Sequence, residues 1–226
     1  MSRQVAQGDR EGLRASVSYG AQFLIVLLVP STVLLCLFGR EIIAATMQRG
    51  RFSTENTLMA SRALTGYAVG LVCMGLYTFL QKLFNSLKSF VVPLASAGLI
   101  AAVDIALSLL LKETPLRVSG LAYANSIAFM AGTVLLAVLA RRRLGAIGFG
   151  PVLTTLGKTV LGTVPMAGLL VALLRWKPDM WMSGGSLRGT AAVAAVVAAC
   201  IAVTLLSYAA LRIPFLSELL HRRKRA

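Results

Sequence analysis

Six long apolar runs, residues 17–38, 63–83, 89–111, 118–140, 152–174 and 189–211, alternate along the chain with short polar stretches. Each holds 21 to 23 residues, and a 23-residue helix rises about 35 Å, enough to cross a hydrocarbon core of about 30 Å with some tilt. None of the runs alternates with a period of two, and an open strand in lipid would leave its backbone groups without partners. The pattern therefore predicts an all-α membrane protein with six transmembrane helices. Prolines agree with these borders: Pro93 and Pro151 sit near run starts, where a missing N–H costs little, and Pro115, Pro178 and Pro214 fall between runs. Pro30 and Pro165 lie mid-run, where each is expected to kink its helix, either for packing or as part of a hinge.

Between the first two runs, residues 40–49 are neither span nor simple loop. Ile42, Ile43 and Met47 can share one face while Arg40, Gln48 and Arg49 take another, which predicts a short helix lying on the external membrane surface. The following Arg49 to Phe52 segment reads as a turn, with Ser53 or Thr54 capping the next helix and Glu55 favourably placed near its N-terminus. Small residues four apart mark close helix approaches: Gly120, Ala124, Ala128 and Gly132 form a stripe expected to face protein, and Gly66 with Gly70 makes a shorter version. The alanine-rich run 191–199 is too uniform to choose a face.

Composition strengthens the membrane assignment, since 57% of residues are hydrophobic, 14% are charged and the mean hydropathy is +0.78. A soluble enzyme is excluded on those values. The formal net charge of +15 could suggest nucleic acid, but the basic residues form small clusters between uncharged runs rather than a surface, so the expected partner is membrane lipid and not nucleic acid. The side bearing both termini carries 14 Lys and Arg and the other side 9, which predicts cytoplasmic termini. The chain then divides into a cytoplasmic amphipathic lead-in (1–16), a four-span part (17–140), and two final spans with a basic cytoplasmic tail (141–226).

Candidate chemistry is sparse. Cys36, Cys73 and Cys200 each lie inside an apolar run without C-x-x-C spacing, and His221, the single histidine, sits in the basic tail, so neither a metal site, a cofactor site nor histidine-based catalysis is expected. Two intramembrane polar positions stand out. Lys158, inside the fifth run, can snorkel to the cytoplasmic surface or contact an anionic lipid headgroup. Asp104, an acid inside the third run, needs a partner or a proton; counting from the hairpin at 112–117 puts Asn125 at its depth, and the pair is either a structural polar clamp or a protonatable site linked to transport.

Four segments carry a family resemblance: SRQVAQGDREGLRASVSYGAQFLIVLLVPSTVLL, then ATMQRGRFSTENT, then LQKLFNSLKSFVVPL, and finally VSGLAYANSIAFMAGTVLLAVLARRRLG. In this order and spacing they resemble the carboxy-terminal part of the MurJ/MviN lipid II flippases, within the multidrug/oligosaccharidyl-lipid/polysaccharide exporter superfamily. The resemblance implies a bacterial inner-membrane protein that is no enzyme and corresponds to spans nine to fourteen of fourteen. It also implies a polyprenyl-linked glycan substrate moved outward, and a groove for the polyprenyl tail bordered by residues 152–174 and 189–211. The arginines that line the family's central cavity lie in helices this sequence lacks, so none of its residues takes that role. The expectation is a bundle inactive without those amino-terminal helices. The alternatives are part of a related polysaccharide or drug exporter, or a non-transporting membrane scaffold.

Overall fold

The computed structural model describes residues 9–48, 50–114, 118–145, 149–176 and 187–211. Residues 1–8 of the lead-in, Arg49, Arg117, residues 177–186 and residues 212–226 with His221 lie outside the described residues. Six helices follow one another: α1 (Arg10–Met47), α2 (Thr54–Ser86), α3 (Val91–Leu111), α4 (Val118–Leu144), α5 (Phe149–Trp176) and α6 (Leu187–Ala210). All six are long and apolar enough to cross a membrane, and no strand occurs among the described residues.

The separate surface helix expected at residues 40–49 is not formed: residues 40–47 are the last two turns of α1, which runs unbroken for 38 residues, about 57 Å. The amphipathic pattern there has another cause. Ile43, Ala44 and Ala45 are buried, Ile42 packs on the core that Ala45 shares with α5 and α6, and Gly39 lies against Leu64 of α2, so this face packs on protein except at Met47, which is exposed at the helix end. Asp9 starts α1 by accepting a hydrogen bond from the Gly12 amide at 2.8 Å. Beyond its end, Gln48 Nε2 donates to Thr54 Oγ1 at 3.0 Å, and Gly50 takes the left-handed backbone (φ +57°) that the reversal requires. Of the two candidate caps, Ser53 is the one used, accepting from the Asn56 amide at 3.3 Å, with Thr54 the first helical residue and Glu55 in the first turn.

Glycines set how closely the helices approach. α1 and α2 run antiparallel, with Gly20 against Phe79, Gly75 against Leu28 and Gly39 against Leu64. α2 and α4 run parallel with their backbones close: a Cβ on Gly66 would lie 2.7 Å from Ala122 Cβ, and one on Gly70 would lie 2.4 Å from Ser126 Oγ and 2.8 Å from Ser126 Cα. α3 and α4 form an antiparallel hairpin in which Gly120 meets Leu111 and Gly132 meets Ile100. Gly120, Ala124, Ala128 and Gly132 are all buried, turned to protein as their spacing requires. The last pair, α5 and α6, is antiparallel with Gly162 against Tyr208.

Two hydrophobic cores result. One gathers Leu13 and Val17 of α1, Leu83 and Phe84 of α2, Ile100 of α3 and Leu136 and Ala140 of α4. The other gathers Phe38 and Ala45 of α1 with Met166 and Leu170 of α5 and Val193, Val196 and Cys200 of α6. Of the six helices, only α1 contributes buried residues to both cores, and Pro30 lies between its two contributions.

Candidate functional site

Polar side chains in lipid must find partners inside the bundle. At the α2–α4 contact they do so on backbone: Ser126 Oγ donates to Gly66 O at 2.6 Å, and Thr133 Oγ1 lies 2.8 Å from Cys73 O and 2.7 Å from Phe129 O. Toward the other end of α2, Tyr77 Oη and Ser96 Oγ are 3.1 Å apart, and Gln81 Nε2 donates to Tyr77 Oη at 3.0 Å. These bonds tie α2 to its neighbours.

Asp104 behaves differently. Pro93, Ser96 and Ile100 are the buried residues of α3, and Asp104 continues their line one turn on, half-buried on the side that packs against protein. Its Oδ1 is sealed from solvent with no hydrogen-bond partner, and no bond joins Asp104 to Asn125 among the described residues. The expected pairing fails on register. With Leu111 against Gly120 and Ile100 against Gly132, the residue level with Asp104 is Ala128, and Asn125 falls about 4.5 Å nearer the α3–α4 turn. Ala128 is fully buried and carries no polar atom on its side chain to answer the carboxylate.

Lys158 lies nine residues into α5, half-buried, and makes no hydrogen bond or ion pair among the described residues. On either side of it in sequence runs a threonine line that hydropathy alone hides: Thr155, Thr159 and Thr163, four residues apart and all buried, face α1 and α6. Thr155 Oγ1 donates to Gln22 Oε1 at 3.0 Å, and Gln22 Nε2 donates to Ser18 Oγ at 3.1 Å. Thr163 Oγ1 donates to Thr159 O at 2.7 Å, while Thr159 Oγ1 is buried without a partner. On α6, Thr204 Oγ1 lies 2.7 Å from Cys200 O and 3.1 Å from Met166 Sδ, and Tyr208 Oη donates across the seam to Val26 O at 3.3 Å. A polar seam thus runs between α1, α5 and α6.

Against this seam opens a cavity of about 450 Å³, within the range of small-molecule sites. Phe23, Leu27, Pro30 and Leu34 of α1 form one wall, Ile201 and Leu205 of α6 the other, and Met166 of α5 lies between. Its rim residues Leu27, Ile201 and Leu205 are half or more exposed, so the mouth opens on the outer surface of this six-helix bundle. No group of three or more His, Cys, Asp or Glu able to hold a metal occurs among the described residues.

A bundle of six membrane-length helices, packed through glycines and with buried serines and threonines bonded between them, defines a multi-pass helical membrane protein. Comparison with known proteins narrows this: the family model described as lipid II flippase MurJ matches residues 1–192, and the chain belongs to that family. A probable lipid II flippase MurJ of Thermotoga maritima is 28% identical over 96% of this chain and 41% of its own length. The lipid II flippase MurJ of Thermosipho africanus is 27% identical over 57% of this chain and 27% of its own, and a probable one of Rhizobium tropici 27% identical over 80% and 34%. The chain therefore spans well under half the length of these relatives.

Proposed function

We propose that this chain forms the carboxy-terminal bundle of a lipid II flippase and acts together with further helices of the same transporter to move an undecaprenyl-linked peptidoglycan precursor from the inner to the outer leaflet of the bacterial cytoplasmic membrane. The family match over residues 1–192 carries the reading. It is supported by the apolar cavity between α1, α5 and α6, open on the outer surface of the bundle, which offers a polyprenyl tail a place beside the last two spans. Alternating access needs two bundles rocking about a central site, and six helices supply at most one wall, so the chain alone transports nothing. Its part is binding and movement rather than bond-breaking chemistry, with the lipid-linked glycan as substrate and both termini in the cytoplasm.

The test is complementation. Cells depleted of their own flippase receive this chain alone, the amino-terminal helices of a relative alone, both together, or the two joined. Rescue by the joined form and by the pair, with neither half sufficient, is the expected result. Failure of the joined form at normal protein level overturns the flippase reading and favours a non-transporting scaffold.

A further inference from the structure

α1 passes through Pro30 without a break, yet a proline nitrogen has no hydrogen to give, so the carbonyl of Val26 four residues earlier loses its helical donor. In a membrane interior such a carbonyl needs another partner. Tyr208 of α6 provides it, its hydroxyl donating to Val26 O at 3.3 Å and lying 3.4 Å from Thr163 Oγ1 of α5. The tyrosine ring is buried and occupies space that a glycine keeps open, since a Cβ at Gly162 would come within 2.7 Å of Tyr208 Cδ1. The Tyr208 hydroxyl therefore bridges three helices at the point where α1 cannot hold itself.

Two further observations give that bond a consequence. Leu13 and Val17, before Pro30, belong to the core shared with α2, α3 and α4, whereas Phe38 and Ala45, after it, belong to the core shared with α5 and α6. Bending at Pro30 would thus turn one packing unit against the other. The cavity of about 450 Å³ lies at this point, lined by Val26, Pro30 and Tyr208 together, so an occupant touches both sides of the bond.

We propose that Pro30 is a hinge in α1 and Tyr208 the latch that holds it: while the hydroxyl is on Val26 O the two packing units keep one arrangement, and an isoprenoid chain entering the cavity displaces the tyrosine and frees the hinge. The identity of that chain rests on the flippase reading; the hinge and latch do not.

Hydrogen exchange of the full chain in lipid nanodiscs tests this at the amides of Ser31 to Leu34, with α4 amides around Leu136 as the control for an intact fold. Tyr208→Phe keeps the ring and removes only the hydroxyl. It should speed exchange at the hinge by about 3-fold and at most about 16-fold, the equivalent of an interhelical hydrogen bond of about 0.6 to 1.7 kcal/mol. Pro30→Ala restores an amide donor for Val26 O, so in that background Tyr208→Phe should change nothing. Undecaprenyl phosphate added to the unsubstituted chain should reproduce the Tyr208→Phe pattern and have no further effect on that variant. An unchanged rate in Tyr208→Phe, or an equal rise with and without Pro30, overturns the latch whatever the chain transports. If the substitutions behave as expected and undecaprenyl phosphate does nothing, the latch stands, and the lipid coupling and the groove reading behind it fail.

Discussion

Gly70→Ala is the smallest change that tests how the bundle is held. The added Cβ would lie 2.4 Å from Ser126 Oγ, 2.7 Å from Ser126 Cβ and 2.8 Å from Ser126 Cα. A hydroxyl can rotate away, but the Cα belongs to the α4 backbone, so α2 and α4 must part by about 0.6 Å before the nearest backbone contact becomes an ordinary one of 3.4 Å. Overpacking of this kind costs about 1–3 kcal/mol. The same movement stretches the bond from Ser126 Oγ to Gly66 O, now 2.6 Å, and an interhelical hydrogen bond is worth about 0.6 and at most about 1.7 kcal/mol. Alanine's higher helix propensity returns up to about 1 kcal/mol, so the expected net loss is about 1 to 4 kcal/mol, read by equilibrium unfolding in mixed micelles titrated with a denaturing detergent. Gly98→Ala is the matched control: nothing lies within 4 Å of its Cβ position, and alanine is favoured over glycine in a helix by up to about 1 kcal/mol, so it should be neutral or stabilising. If Gly70→Ala unfolds at the same detergent fraction as the unsubstituted chain, or if Gly98→Ala is equally damaging, the close-approach argument is wrong.

Three other outcomes can be measured directly. The bias of basic residues predicts that a cysteine at position 51 reacts with an impermeant thiol reagent from outside intact cells and one at position 142 only after the inner face is opened; the reverse result would invert the topology. Asp104→Asn removes a carboxylate whose Oδ1 has no partner, so membrane insertion should be unchanged or improve by up to about 2.5–3.5 kcal/mol, and impaired insertion would reveal a partner the register argument misses. In a complementing pair of halves, the same variant folded but inactive would mark Asp104 as a protonatable or ion-linked group, and unchanged activity a structural one. Lys158→Gln should leave insertion and complementation intact if the ammonium snorkels to the surface, whereas loss of rescue at normal protein level would assign it to an anionic headgroup.

The spans were legible because crossing lipid demands an uninterrupted apolar length, and that demand is written locally in the sequence. Helix ends were not: hydropathy marks only the segment inside the hydrocarbon, while α1 continues through Arg40 and Glu41 as far as Met47, for as long as protein neighbours cover one side of it. The stripe from Gly120 to Gly132 was visible because small residues at helical spacing have one dominant use. The Asp104–Asn125 pairing failed for a geometric reason, since residues counted equally from a turn are level only if the turn is symmetric, and here Leu111 meets Gly120 rather than Val118. The seam between α1, α5 and α6 did leave a signal, in the four-residue spacing of Thr155, Thr159 and Thr163 and in the carbonyl that Pro30 must orphan. That signal shows only when polar atoms are followed to their partners rather than averaged with the apolar residues around them.

The division of buried residues between two cores also bears on how the chain is made. Every member of the first core lies between Leu13 and Leu144, so α1 to α4 can close it while the ribosome is still translating α5 and α6. The second core has no such independence: its α5 and α6 residues need the far half of α1, already committed on its other side through Gly39 and Leu64. During synthesis the newborn α5–α6 hairpin must therefore dock onto a helix whose position is fixed. A stop or delay after Leu144 would leave in the membrane a packed four-helix body with a vacant apolar flank on α1, the form that membrane quality control would meet first.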